Sequence, residues 1–269
     1  MTTQQAFQPI GIFDSGVGGL TVFKALKSIL PDESYVYLGD TARVPYGTKS
    51  KKIVTEYSIQ NSQFLLSHGV KLIVVACNTA SAFALSTLSQ KFSVPVVGVI
   101  EPGVSAAIQA SQNHKIAVIG TEGTISSQAY PQAISKCLDK AEVFCQATPL
   151  LVPIIEENMR QTEILHPVFE HYLSEIHQKN VDTLVLGCTH YPIIKNELND
   201  YFQQKIQIVD SATAAANVVK ELLLEKDLQN SNSKPNHKDR IFVTDAPERI
   251  QRIAEMILGG SVEVESVHL

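Results

Sequence analysis

Short runs of aliphatic and β-branched residues recur along this chain. Most break at glycine, proline or hydroxyl-bearing residues and pass into an apolar rhythm of about 3.6 residues. Residues 10–13, 35–38, 70–76, 94–100, 115–119, 181–187 and 206–209 read as strands buried on both faces, because they are apolar without alternation. Helical patterns lie between them, over residues 20–29, 53–68, 80–88, 161–178, 193–202 and 214–225, with an alanine-rich one after Gly103. Leu20, Phe23, Leu26 and Leu30 mark the apolar face of the first. Strands alternating with helices predict an α/β fold built on mainly parallel sheets.

Two strands end alike. Residues 70–76 run into Cys77-Asn78-Thr79, and residues 181–187 into Cys188-Thr189-His190-Tyr191-Pro192, with Pro192 suited to a first helical turn. Carboxyl ends of strands are where open α/β sheets bind ligands, and a helix start there offers free N–H groups and a partial positive charge that favours a thiolate. The turns echo each other too. Residues 14–21 form a glycine-rich turn ahead of Cys77, and residues 120–127 a glycine- and hydroxyl-rich turn ahead of Cys188. The repetition predicts two similar α/β domains, related by a pseudo-twofold, with the active site in the cleft between them. The last strand and helix, residues 240–244 and 246–258, need a sheet to join. A first domain of residues 1–98 plus 208–269 is therefore expected, with residues 99–207 inserted in it and residues 227–239 forming a polar loop.

Composition narrows the function. The chain has 269 residues, 44% of them hydrophobic and 18% charged, enough for one large or two small cores. A net charge of −5, with 22 Lys and Arg in scattered positions, gives no footprint for nucleic acid. No signal pattern opens the chain and no apolar run nears the ~18 residues of a membrane span, so a cytoplasmic protein off the membrane is expected. The four cysteines form no Cys-x-x-Cys pair and the histidines no His-Glu-x-x-His, so no metal site is expected. Cys137 and Cys145 read as small buried apolar residues.

Other motifs stay open at this level. Residues 16–21, Gly-x-Gly-Gly-x-Thr, are not the dinucleotide fingerprint, because Thr21 stands where the third glycine belongs; the turn either touches a ligand or permits a tight bend. Residues 39–47 read as a rigid loop or a cleft wall. Glu156 and Glu157 read as surface carboxylates opening a helix. Cys77 and Cys188 across one small molecule allow two chemistries. A nucleophile with a resolving thiol would do redox work, whereas two acid/base groups would take a proton from one face of a carbon and return it to the other. Helix ends and polar neighbours are expected to bring the thiol pKa near neutrality. Asp14 and His190, each at a strand end, suit either helper or structural roles.

Five blocks, residues 14–21, 39–47, 76–81, 98–103 and 187–192, together resemble bacterial glutamate racemase, with Asp210-Ser211-Ala212 as a further match. The tail fits only in outline, and Thr148 stands where many members carry cysteine. The resemblance implies cofactor-independent, two-base interconversion of L- and D-glutamate, without pyridoxal phosphate, supplying D-glutamate for peptidoglycan. It implies Cys77 as the base for D-glutamate and Cys188 for L-glutamate, aided by Asp14 and His190 respectively, with Glu156 as a further assisting carboxylate. Ser15, Pro45, Tyr46, Gly47, Asn78, Thr79 and Thr189, with Asp14 and His190, are implied substrate contacts. A homodimer is expected on the same ground. The rival readings are a racemase for a related amino acid such as aspartate and a protein that binds DNA gyrase.

Overall fold

The structure is a computed structural model in which residues 5–232 and 234–269 are described; residues 1–4 of the polar amino terminus and Ser233 of the polar loop lie outside the described residues. In chain order the first stretch comprises β1 (Ile10–Asp14), α1 (Leu20–Ile29), β2 (Tyr35–Gly39), α2 (Lys51–Ser67), β3 (Leu72–Val75), α3 (Asn78–Lys91) and β4 (Val96–Gly98). The next comprises α4 (Ile100–Ala110), β5 (Lys115–Gly120), α5 (Glu122–Ser126), α6 (Ala129–Cys137), β6 (Glu142–Ala147), α7 (Leu151–Glu156), α8 (Thr162–Gln178), β7 (Thr183–Gly187), α9 (Lys195–Tyr201) and β8 (Gln207–Asp210). The chain closes with α10 (Ser211–Glu225), β9 (Arg240–Val243), α11 (Pro247–Leu258) and β10 (Val264–Ser266).

The strands form two all-parallel sheets, ordered β10-β9-β2-β1-β3-β4 and β6-β5-β7-β8. The block β2-β1-β3-β4 thus recurs as β6-β5-β7-β8, so the echo read in the turns extends to strand order. Cys77 follows β3 and Cys188 follows β7, the equivalent strands. Helices cover both faces of each sheet, which is why the strands are apolar throughout rather than alternating. In β3, Leu72 and Val74 pack toward α1, α10 and α11, and Ile73 and Val75 toward α2 and α3. In β7, Leu184 and Leu186 pack toward α7, α8 and α9, and Val185 toward α4 and α6.

Some elements depart from the sequence expectation. The strand expected over residues 94–100 is limited to β4, because α4 takes Ile100-Glu101-Pro102-Gly103 into its first turn, where Pro102 lacks no needed donor. Residues 151–156 are helical, so Glu156 closes a helix rather than opening one. Pro167 lies inside α8, which still runs the length expected for residues 161–178. The helix expected over residues 193–202 starts as a 3₁₀ turn, Tyr191–Ile194, with α9 following it. Cys137 is exposed at the end of α6 and Cys145 half-buried, so burial does not account for the former. The short edge strand β10 is not among the expected strands, although residues 262–265 alternate apolar and polar as a half-buried strand does.

One buried charge staples the fold away from the cysteines. Lys71 Nζ donates to the Ala6 and Leu228 carbonyls at 2.6 and 2.8 Å and to Glu33 Oε2 at 2.6 Å. Glu33 in turn accepts from the Asn230 N–H at 2.9 Å. Four distant chain segments meet at this ammonium.

Candidate active site

Cys77 is the N-cap of α3. Its backbone is extended, and Sγ accepts from the Ala80 N–H at 3.5 Å while facing Ser15 Oγ at 3.6 Å. A sulfur in this place takes the position that Ser or Asp usually holds at a helix start, so it meets unpaired N–H groups. Cys188 leaves β7 one residue after the strand ends, and its Sγ lies 3.8 Å from His190 Nδ1. Both cysteines are 5% exposed, and both line one cleft of about 230 Å³ between the carboxyl ends of the two sheets. That volume is below the ~300–1,000 Å³ usual for drug-sized ligands, so the cleft suits a small molecule. A larger groove of about 750 Å³ beside Lys24, Lys27 and Leu258 contains neither cysteine.

The glycine turns serve close approach of the two halves. A Cβ on Gly18 would collide with Thr189 and His190, and one on Gly47 would stand 2.6 Å from Thr121 Cβ. Neither alternative read for residues 16–21 covers Gly18: it gives room to the opposite wall. Hydrogen bonds then tie the walls together. Thr21 Oγ1 donates to the Thr189 carbonyl at 2.8 Å, the Thr189 hydroxyl donates to Asp14 Oδ1 at 3.5 Å, and the Thr79 and Thr121 hydroxyls pair at 2.8 Å.

The two cysteines stand in unequal fields. Burial, followed by the charge of Asp14, pushes the Cys77 thiol up to about 12, and the Ala80 N–H and Ser15 hydroxyl offset this only in part. The expectation that a helix start brings this thiol near neutrality is therefore corrected, because desolvation outweighs the helix end. Asp14 is fully buried and its pKa is raised by that burial, against the pull of His190 and of backbone N–H groups, among them Gly16 at 3.0 Å. Around His190 the balance reverses. Burial works against its charge, but bonds to Cys188 and to Glu156, whose Oε1 lies 3.0 Å from Nε2, outweigh it and push the ring up to about 10. The same bond holds the Glu156 carboxyl below its usual range. Glu156 also meets Arg249 of α11 at 3.5 Å, and Arg249 meets Glu157 at 3.0 Å.

Ser15, Pro45, Tyr46, Gly47, Asn78, Thr79, Thr189, His190 and Glu156 all line the cleft with the two cysteines. Asp14 is not among the lining residues and sits behind Ser15, with no exposed surface. The Tyr46 hydroxyl is engaged away from the cleft, donating to Asp40 and accepting from Asn61 at 3.0 Å. Asp40 also takes Arg43 Nε at 2.8 Å and the Thr244 hydroxyl at 3.2 Å. It is the hub that makes residues 39–47 a rigid wall. Val44, Thr121, Val152, Pro153 and Gly187 complete the lining without having been expected as substrate contacts. The echo turn pointed to Thr121, whereas nothing in the sequence placed Val152 and Pro153 there. Thr148 is buried and pairs with the Tyr191 hydroxyl at 2.7 Å. Among the described residues, no three His, Cys, Asp or Glu side chains are arranged to hold a metal, and no helix is long and apolar enough to cross a membrane.

Comparison with known proteins agrees with this architecture. The Asp/Glu/Hydantoin racemase family model matches residues 18–219. The glutamate racemase of Geobacter metallireducens is 48% identical over 95% of this chain and 94% of its own. The crystal structure of glutamate racemase isoform RacE1 from Bacillus anthracis superposes with a TM-score of 0.94 at 37% identity, covering 97% of this chain and 98% of that one. Glutamate racemase from Francisella tularensis, solved in complex with D-glutamate, gives a TM-score of 0.91 at 39% identity over 97% and 98%. With two equivalent parallel sheets meeting at a cysteine-lined cleft and near-full-length identity of this order, the chain belongs to the Asp/Glu/hydantoin racemase family, and within it to the glutamate racemases, which are amino-acid isomerases.

Proposed function

We propose that Cys77 and Cys188 are the two proton carriers of a cofactor-independent interconversion of L- and D-glutamate. The observation that carries this reading is the placement of the two buried sulfurs at the ends of equivalent strands, β3 and β7, in one small cleft. The Cys188 thiolate takes the α-proton of L-glutamate, leaving a planar carbanion-like carbon. The Cys77 thiol gives its proton to the opposite face, so the product is D-glutamate, with a thiol at Cys188 and a thiolate at Cys77. The reverse reaction runs the same transfers backwards, and no net electrons move.

The resting charges suit the first direction. Cys77, buried beside Asp14, keeps its proton, as an acid must, and the charged His190 faces Cys188. For D-glutamate, the substrate ammonium brings the positive charge that the Cys77 side lacks, and the buried Asp14 answers it. N–H groups at the start of α3 and the hydroxyls of Ser15, Thr79 and Thr121 supply donors for the carboxylates. Exclusion of water strengthens each of these interactions. The F. tularensis complex with D-glutamate supports the substrate. We further propose two domains built on the two sheets, with the chain crossing after β4 and returning after β8, three residues beyond the expected 207. The D-glutamate product would serve peptidoglycan synthesis in the cytoplasm.

Incubation with L-glutamate in deuterated water tests the reaction, with no cofactor added. Loss of optical rotation together with one deuterium at Cα of the D-product is the expected result. Racemisation without deuterium entry, or turnover of L-aspartate in preference to L-glutamate, would overturn the reading.

A further inference from the structure

Asn78 holds a polar atom for which the folded chain provides no partner. Its Oδ1 accepts from the Tyr130 hydroxyl at 2.8 Å, but Nδ2 is the one buried side-chain nitrogen or oxygen without a hydrogen bond among the described residues. Asn78 opens α3 beside Cys77, is 3% exposed and lines the cleft. An unsatisfied buried donor costs about 1–3 kcal/mol, a cost that a bound acceptor removes.

A carboxamide has two ends of nearly equal shape, so half a turn would swap donor for acceptor. Tyr130 decides between them. Its buried hydroxyl donates to Oδ1, and that bond holds the amide with its oxygen toward the phenol. Nδ2 is thereby the end left for a ligand. A carboxylate can accept from it, whereas the ammonium of an amino acid cannot. The phenol needs a slot, and the 98–103 and 210–212 blocks supply one. A Cβ on Gly103 of α4 would stand 3.3 Å from the Tyr130 hydroxyl oxygen and 3.3 Å from Ser211 Cβ at the start of α10.

We propose that Tyr130, seated between Gly103 and Ser211, is a positioning residue that turns the Asn78 amide so that Nδ2 donates to a substrate carboxylate, fixing which end of the amino acid lies beside Cys77. This assignment rests on the glutamate racemase reading of the cleft. The proton transfers do not use Tyr130. Its effect belongs in substrate binding.

The test is a double-mutant cycle on the full chain, with kcat and KM measured for both enantiomers by circular dichroism. Tyr130→Phe is expected to raise KM about tenfold, the worth of one directed hydrogen bond, with a much smaller change in kcat. Asn78→Ala and Asn78→Asp, which both remove the donor, are expected to lose at least as much. Tyr130→Phe added to Asn78→Ala is expected to cost nothing more, because the two act as one unit. An unchanged KM in Tyr130→Phe, or losses that multiply in the double variant, would overturn the assignment. Should Tyr130→Phe fail to fold, Gly103→Ala crowds the hydroxyl while leaving both side chains present; a raised KM supports the assignment and an unchanged one overturns it. Wild-type protein that does not racemise glutamate would overturn the racemase reading, and this assignment with it, whereas active wild type with additive losses overturns the assignment alone.

Discussion

At the scale of single residues, the two cysteines differ in what surrounds them, and the difference is testable. Cys77→Ser or Cys188→Ser is expected to lower kcat by about 10²–10⁴-fold in both directions, since a hydroxyl replaces a far stronger acid at the proton-transfer step. Racemisation followed by circular dichroism measures it. His190 links this chemistry to stability. Its ring holds a proton to about 10 in the fold, against about 6.5 for an unfolded histidine. A raised folded pKa means that the His190 pair stabilises fully below pH ~6.5 and that the increment is lost as pH rises toward 10. The melting temperature of the wild type is therefore expected to fall over that window relative to His190→Asn, in which the dependence flattens. Glu156 adds the opposite limb. Its lowered pKa contributes above the usual carboxylate range and is lost as pH falls through the folded value.

Among elements, the Lys71 staple shows how a buried charge can hold several segments. It joins the carbonyl before β1, the turn before β2, the start of β3 and the stretch after α10. Burial lowers the Lys71 pKa while Glu33 opposes that shift, so each charge is tolerable only with the other. Lys71→Met is expected to destabilise by about 3–5 kcal/mol, because Glu33 would be left buried and unpaired. Adding Glu33→Gln should recover part of the loss. Urea denaturation midpoints of the single and double variants check both statements. Activity per folded molecule should hold, since the staple does not touch the cleft.

For the whole molecule, the two sheets meet where Arg249 of α11 reaches Glu156 and Glu157 at the end of α7. Arg249 is half exposed, so the contact is worth little to stability, within about 1 kcal/mol. It does cross the mouth between the sheets and ends on the carboxylate that holds His190. Arg249→Ala is expected to leave the melting temperature nearly unchanged and to raise KM for glutamate by about threefold at low salt, a difference that 1 M salt removes by screening. Steady-state kinetics across ionic strength checks it, and an equal effect at every salt concentration would discount the ion pair.

The local pattern by itself determined the alternation of strands and helices, because strands covered on both faces must be apolar throughout, as in residues 72–75 and 184–186. It also placed Cys77 and Cys188 at strand ends, and the echo of the two turns anticipated the repeated strand order. Proline and short apolar runs were less legible: Pro102 and residues 151–155 have the composition of either a strand end or a helix start, and only packing on the sheets chose the helix. Tertiary structure alone decided what the cysteines meet. Burial set the Cys77 thiol above the range a helix start would give it, and Glu156, distant in sequence, arrived at His190 because α7 packs on the same sheet as β7, beside the turn that carries His190. The single free donor on Asn78 was likewise fixed by Tyr130, a residue 52 positions away. Spacing along a chain encodes periodic contacts within an element, whereas desolvation and cross-sheet hydrogen bonds depend on which elements are brought together.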